Sequence, residues 1–406
     1  MALLPVEEAV RRLLDNTAPI IAIESVPLIS ADRRVLAKPV AARLTQPPFD
    51  ASAMDGYALK SEDVASLGSR LKVIGQSAAG HGFAGAVQSG ETVRIFTGAP
   101  VPAGADTVLL QEDAKIIDGG FIENSFSPEK ARHIRPRGQD FVLGEAILHP
   151  GMRLDPGRLM VAAGMNHPEV EVYRKPLVAI IATGDELLPP GSPLGPNQIV
   201  ASNTFAVSAL AVAAGADVVD LGIVPDRPEL IAAVVQKAVE AGADVLVTLG
   251  GASVGDHDLV QSTLKSVGMV LDFWRIAMRP GKPLMVGSLG SMRVLGLPGN
   301  PVSSMVCALL FLEPLIAKLA HLPALSREKL AFTTTDLAKN DQRQDYLRAS
   351  ARLNADGRLD VTSYSKQDSS QMKIFANAGA LIIRPPNAAA LPAGAECKIL
   401  QLRDVA

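Results

Sequence analysis

The chain has 406 residues, 48% of them hydrophobic, enough for two to four domains with real cores and too apolar for a disordered protein. A net charge of −3 without a basic stripe argues against nucleic acid as a partner, and 4% aromatic content leaves little for stacking single strands. The two cysteines, Cys307 in an apolar helical stretch and Cys397 in a strand-like one, fit buried thiols in a reducing cytosol better than a disulfide.

The first residues, MALLPVEEAV, carry acids where a signal peptide needs bases and a long apolar core. The most apolar stretch, Val302 to Ala320, contains Glu313, Pro314 and Lys318 and is too interrupted to span a bilayer. The expectation is a soluble, cytoplasmic protein with no membrane partner. Residues 5–15 place Val6, Val10, Leu13 and Leu14 on one helix face. A strand is expected near Ile20–Ile23 and a second amphipathic piece from Ser30 to Leu36. Gln46 to Tyr57, with two prolines, two aspartates and a glycine, reads as a turn-rich loop.

Residues 51–140 carry short strands, such as Leu71–Ile74, Val93–Thr97 and Thr107–Gln111, between Gly/Pro turns. They read as a small β-rich domain. A helix from Pro156 to Met165 follows. The β-rich domain is therefore an insertion into an N-terminal mixed domain made of residues 1–50 and 141–175. Within it, Arg135 and Arg137 beside Asp140 fit a solvated surface.

From 176 to 325 strands and helices alternate regularly. Strands are expected at Leu177–Ala182, Asp217–Leu221, Asp244–Leu249 and Val294–Leu297. Helices are expected at Asn203–Ala214, Pro228–Ala241, Asp258–Val267 and from Val302. This alternation means βαβ units and a doubly wound, mostly parallel sheet. Residues 326–406 turn β-rich again and read as a C-terminal closing domain. The fold class is α/β plus β, multidomain.

Four loops of the α/β domain follow strands and end in polar residues. They are Thr183-Gly184-Asp185-Glu186, the GIVPDR loop with Asp226, the stretch from Gly250 and Gly251 through Ser253 to Asp258, and Pro298-Gly299-Asn300-Pro301-Val302-Ser303-Ser304. In open α/β sheets ligands bind at the carboxyl ends of strands, where helix N-termini attract anions. A Gly-Gly turn alone fits equally a plain connection with a capping aspartate, and each acid alone fits a salt-bridge partner. Four such loops in one domain are hard to explain as caps only. Clustered acids repel, so some protonate or a divalent cation neutralises them. Oxygen ligands without Cys or His suit Mg²⁺, held by one or two carboxylates and substrate phosphates. Arg279-Pro280-Gly281-Lys282-Pro283 presents two cations for an anionic substrate, or equally a solvent-facing basic turn.

These segments resemble the molybdopterin molybdotransferase family, whose relatives include the E domain of gephyrin. The resemblance is carried by QPPFDASAMDGYA, FTGAPVPAGADTVL, ATGDEL, GGASVGDHD, MRPGKP, LPGNPVSS, YLRA and SSQM, in order along the chain. It implies an enzyme that inserts molybdenum from molybdate into adenylylated molybdopterin and releases AMP, with Mg²⁺. It implies a four-domain fold, an elongated homodimer, and a cleft in the α/β domain to which the partner's domains contribute. The adenylyltransferase of the preceding step is a further candidate partner. Matched by motif, Asp55, Thr97, Glu186, Asp226, Asp258, Lys282 and Arg348 are expected to be catalytic, with Glu186, Asp226 and Asp258 on the metal. Asp185, Gly250, Gly251, Ser253, Arg279, Pro298, Pro301, Ser303 and Ser370 are expected to contact substrate. Arg279 stands where relatives often have Lys; both are cations, but the hydrogen-bond geometry differs.

Arg348 and Ser370 lie in a β-rich domain apart from the acids. The expectation is that a two-fold partner brings its tail across, rather than the chain closing over its own cleft. The rival readings are a molybdopterin adenylyltransferase, which needs no N-terminal and tail domains, and a molybdopterin-binding scaffold without catalysis. A nicotinamide-dependent oxidoreductase is disfavoured because no G-x-G-x-x-G follows the first strand of the α/β domain.

Overall fold

The computed structural model describes residues 3–250, 259–323 and 325–404. The chain divides into two units, Met1–Glu24 with Tyr173–Ala406, and Ser25–Val172.

The larger unit is built on a six-stranded sheet. Its order is Asp217–Val224, Leu177–Thr183, Val245–Leu249, Met292–Leu297, Met285–Leu289 and Val270–Trp274. The first four strands are parallel, and Met285–Leu289 runs antiparallel to both of its neighbours. Val245–Leu249 and Met292–Leu297 are buried along their whole length. That is why they read as continuous apolar runs rather than alternating ones.

Alternate residues still go to opposite faces. Ala179, Ile181 and Leu246 face Ile231, Val235 and Ala238 of the helix Pro228–Glu240 and Val260 and Leu264 of Leu259–Ser266. Val178, Ile180, Val245 and Val247 face Val207 and Ala211 of Asn203–Ala213, and Val302, Val306 and Phe311 of the long helical run starting at Pro301. Each fully buried aliphatic side chain of this kind stabilises the fold by about 1.5–3 kcal/mol. Asn203–Ala213 stops where Gly215 takes φ 105° and Ala216 N–H bonds back to Ala211, a glycine-dependent helix end.

The long run passes from Pro301–Cys307 through one π turn, Ala308–Leu312, into Glu313–Leu319. Pro314 has no N–H to offer the preceding turn, which the π turn accommodates. By length and composition this run could cross a membrane, but most of it is buried inside the unit. Both cysteines are free and buried.

The C-terminal strands close on themselves. Gln344–Leu353 pairs Leu359–Ser363, which pairs Glu328–Thr333, then Glu396–Gln401, then Ala380–Arg384, which returns to Gln344–Leu353. A closed ring leaves no free edge among these five strands. The short strand Met278–Arg279 joins this barrel by parallel pairing with Gln344 and Asp345.

The smaller unit holds a second six-stranded sheet, in the order Thr107–Leu110, Gly56–Leu59, Glu91–Ile95, Arg70–Ser77, Phe121–Asn124 and Ala114–Ile117. Residues 31–42 and 141–172 share a separate core with Leu36, Phe141, Leu154 and Met165 at its centre. The helix Pro156–Gly164 in that core is capped by Asp155, which accepts from Arg158 N–H at 2.9 Å.

The structure adds to the sequence expectations at three places. The helix Val6–Asp15 buries Val6, Ala9 and Leu13 in the α/β core, so residues 1–24 pack with the larger unit. Its apolar face carries no mark of which core it will join. Val270–Trp274 and Met285–Leu289 are strands that βαβ alternation did not anticipate, because they enter the sheet through antiparallel pairing. The amphipathic piece expected at Ser30–Leu36 is irregular: a 3-10 turn spans Leu28–Ser30, and Val35 and Leu36 make isolated bridges to Arg153 and Val172.

Candidate active site

One cavity of about 1150 Å³ lies in the larger unit. The ends of all four parallel strands contribute to it: Thr183 and Glu186, Asp226, Gly250, and the loop from Pro298 to Ser303. Parallel strands all present their carboxyl ends to one edge of the sheet, so loops distant in sequence converge there. Gly250 has φ 97°, and a Cβ there would stand 2.7 Å from the Thr183 carbonyl oxygen. Only glycine lets the two strand ends approach this closely.

Acids form one part of the wall. A Cβ on Gly184 would meet Glu186 Oε2 at 2.4 Å, so the Glu186 carboxylate folds over the space that glycine leaves. Asp226 N–H donates to Asp185 Oδ1 at 3.2 Å. Burial, and then the charges of Asp185 and Glu186, push the Asp226 carboxyl above the usual carboxylate range. Asp185 thus braces Asp226, and it does not itself line the cavity.

Anion-attracting groups form another part. The N-termini of Asn203–Ala213 and of the run from Pro301 both reach the cavity, through Ser202, Asn203 and Thr204 and through Pro301 and Ser303. Their dipoles favour negative charge. Asn203 Nδ2 donates to the Gly299 carbonyl at 2.7 Å and so joins the two helix starts. Thr183 Oγ1 is buried with no hydrogen-bond partner among the described residues.

Lys282 lines the cavity and makes no ion pair among the described residues. It follows Gly281, where φ is 106° and a Cβ would come within 2.6 Å of Cys307 Sγ. Arg279, on the same turn, is not free. It bonds to Asp345, and to Asp341 at 3.0 Å, and these carboxylates hold its charge in place. Arg279 still lines the cavity, with part of its guanidinium engaged by these two carboxylates.

The tail closes over the chain's own cavity, contrary to the expectation that it would be supplied by a partner. Val302 N–H donates to the Ser369 carbonyl at 3.0 Å, and Asn300 Nδ2 to Ser369 Oγ at 2.9 Å. Ser370 lines the cavity, with its hydroxyl donating to Asp368 Oδ1 at 2.6 Å. The two bonds from Ser370 hold the Asp368 carboxyl below its usual range. Arg348 is 2% exposed and stands behind this loop rather than in the lining. Its N–H donates to Gln367 Oε1 at 2.9 Å and its guanidinium to the Asp368 carbonyl at 3.3 Å. Burial disfavours its charge.

In the smaller unit, Asp55 and Thr97 meet. Asp55 Oδ1 accepts from Thr97 N–H at 2.7 Å and from Thr97 Oγ1 at 2.8 Å, which holds the carboxyl below its usual range. Gly251, Ser253 and Asp258 lie outside the described residues. The sequence reading missed Asn203, Arg343, Asp368 and Ser369 in the lining. Asn203 carried a signal, an amide residue at the start of a helix after a strand-end loop. Ser369 stood in the SSQM motif without being singled out, whereas Arg343 and Asp368 carried no signal, because they arrive from the barrel through tertiary pairing.

Three family models match the chain. They are the MoeA N-terminal region (domain I and II) over residues 4–165, the probable molybdopterin binding domain over 179–318, and the MoeA C-terminal region (domain IV) over 331–402. A molybdopterin molybdenumtransferase from Haemophilus influenzae is 35% identical over 384 residues, covering 94% of each chain. One from Bacillus subtilis is 34% identical, covering 99% of this chain and 94% of its own. Among solved structures, a molybdopterin biosynthesis MoeA protein from Pyrococcus horikosii is 29% identical with a TM-score of 0.83, covering 99% of this chain and 100% of its own.

Proposed function

The chain belongs to the MoeA family of molybdopterin molybdenumtransferases, and from that premise we propose that it transfers molybdenum from molybdate to adenylylated molybdopterin, releases AMP, and does so with Mg²⁺ in the cavity of its larger unit. It is a transferase of molybdenum cofactor biosynthesis. The observation that carries the fuller reading is the convergence of two helix N-termini, of Lys282, which has no ion-pair partner among the described residues, and of the acids Glu186 and Asp226 on one cavity. Both substrates are polyanions, and no protein thiol is needed, because the dithiolene brings its own sulfurs.

In this reading Lys282 and the helix starts at Asn203 and Pro301 hold oxyanions, with Ser303 donating a hydrogen bond and Ser370, whose own donors go to Asp368, lining the wall. Pro298 and Pro301 keep the loop between strand and helix rigid, and Gly250 lets the substrate approach the backbone. Among the described residues no three Asp, Glu, His or Cys groups form a complete cation site. Glu186 and Asp226 nevertheless suit Mg²⁺, which takes one or two carboxylates and completes its shell with water and phosphate oxygens. The raised Asp226 carboxyl reflects burial beside like charges, a condition that a divalent cation relieves. Bound there, Mg²⁺ would neutralise charge between carboxylate and phosphate.

The resemblance assigns Asp258 to the same metal and gives Asp55 and Thr97 catalytic roles. It also supplies the homodimer, the cytoplasmic setting and the adenylyltransferase of the preceding step as partner. The test is direct. Purified protein with adenylylated molybdopterin, Mg²⁺ and molybdate should release AMP and yield a cofactor that reconstitutes a molybdoenzyme. AMP release that does not depend on molybdate would sink the reading.

A further inference from the structure

The part of the cavity wall that follows Glu186 is apolar and uncovered. Ile199 N–H donates to the Glu186 carbonyl at 2.8 Å, and Ala201 N–H to Leu188 at 2.9 Å, so Ile199–Val200 lies as a short strand beside Leu187–Leu188. Met372 reaches the cavity from the barrel; its sulfur accepts from Ser202 Oγ at 3.4 Å, and its N–H donates to the Ser370 carbonyl at 3.0 Å. Ile199 is 55% exposed, Val200 39% and Met372 52%, and all three line the cavity. Large apolar side chains left this open in a polar site cost free energy unless something covers them.

Oxyanions do not need such a surface. A cavity of about 1150 Å³ also far exceeds the space a molybdate or phosphate fills. A planar nitrogen heteroaromatic ring has the complementary shape, with apolar faces and a polar edge. Among the described lining residues there is no Phe, Tyr or Trp to stack on it. Aliphatic and thioether contacts are the remaining means of covering a ring face, and methionine sulfur meets aromatic rings favourably.

We propose that Ile199, Val200 and Met372 form a platform for the planar heteroaromatic ring of the substrate. This rests on the reading of the cavity as the molybdenum-transfer site. Adenine and pterin are both such rings, and the two arms of the experiment separate them.

AMP and molybdopterin without adenylate are titrated separately, by calorimetry, into the full-length parent, an Ile199→Ala/Met372→Ala double variant and Met372→Leu. Inorganic molybdate is titrated into each as a control. The double variant should bind one ring-bearing probe about tenfold more weakly, as expected for about 1.4 kcal/mol of lost apolar contact. Weaker AMP assigns the platform to adenine, and weaker molybdopterin assigns it to the pterin. Met372→Leu, which keeps the volume, should stay within about twofold of the parent, and molybdate binding should not change. A double variant that binds both probes as the parent does overturns the platform and leaves the proposed function standing. A parallel loss of molybdate binding points to general damage and also overturns it. A parent that binds neither probe removes the proposed function and the platform together.

Discussion

Arg279 donates to the nearly buried carboxylate of Asp345, and a second guanidinium nitrogen reaches Asp341 at 3.0 Å. The same two residues, Arg279 and Asp345, are backbone neighbours in the parallel pairing that joins the cavity turn to the C-terminal barrel. The turn that presents Lys282 is therefore tied to the barrel by charge as well as by backbone. Burial pushes the Asp345 carboxyl up while the guanidinium pulls it down, so each charge depends on the other. Asp345→Asn should loosen Arg279 toward the cavity it already lines. Molybdate binding, read by calorimetry, should then tighten by about threefold, a fraction of the roughly 1.5–3 kcal/mol of a full charged hydrogen bond because Asp341 still competes. Structural damage alone would weaken binding, so a weaker or unchanged affinity counts against the guarded arginine.

Lys282 has no such internal partner among the described residues. Lys282→Ala should raise the molybdate or nucleotide requirement by roughly ten- to a hundredfold, the worth of a charged hydrogen bond of about 1.5–3 kcal/mol. Steady-state kinetics with each ligand varied in turn will show which one it holds. Unchanged dependence on both would mean that the lysine is a solvated charge.

Asn203 ties two helix starts together through Gly299. Asn203→Ala should lower the unfolding free energy by about 1 kcal/mol or less, read from urea midpoints. Asn203→Asp sets an acceptor and a negative charge against a carbonyl at an anion-attracting helix end. It should raise the molybdate requirement by about tenfold beyond the alanine variant. Equal behaviour of the two variants would show that the side chain only spaces the helices.

Asp226 offers a test by pH. Its folded carboxyl titrates above the unfolded value, because of burial and then of Asp185 and Glu186. Its contribution is therefore fully present below the unfolded value, about 3.9, and is lost as pH rises through the raised folded value. Asp226→Asn should melt higher than the parent at neutral pH, with the difference shrinking toward pH 3. Mg²⁺ should raise the melting temperature of the parent more than that of the variant. Equal Mg²⁺ effects on both would remove Asp226 from the metal.

Thr97 makes both hydrogen bonds that hold the Asp55 carboxyl down. Thr97→Val deletes the hydroxyl and keeps the backbone donor. The Asp55 titration, followed by carboxyl NMR, should move up toward the ordinary carboxylate range without reaching it. No movement would mean that the backbone bond alone sets the carboxyl.

Some of this molecule was determined by the sequence alone. The apolar runs Leu177–Thr183 and Val245–Leu249, separated by helices of the right length, call for parallel pairing of these strands in an α/β sheet. A parallel sheet carries its strand-end loops to one edge, so Glu186, Asp226, Gly250 and Ser303 converge for a reason readable from local pattern. The tertiary structure decided what local pattern cannot encode. It placed Val6, Ala9 and Leu13 in the α/β core, turned the tail onto the chain's own cavity through Ser369, and committed Arg279 to Asp345 while giving Lys282 no ion-pair partner among the described residues. Each of these depends on which groups lose water together, and two cations three residues apart on one turn look alike until the tertiary structure sets carboxylates against Arg279.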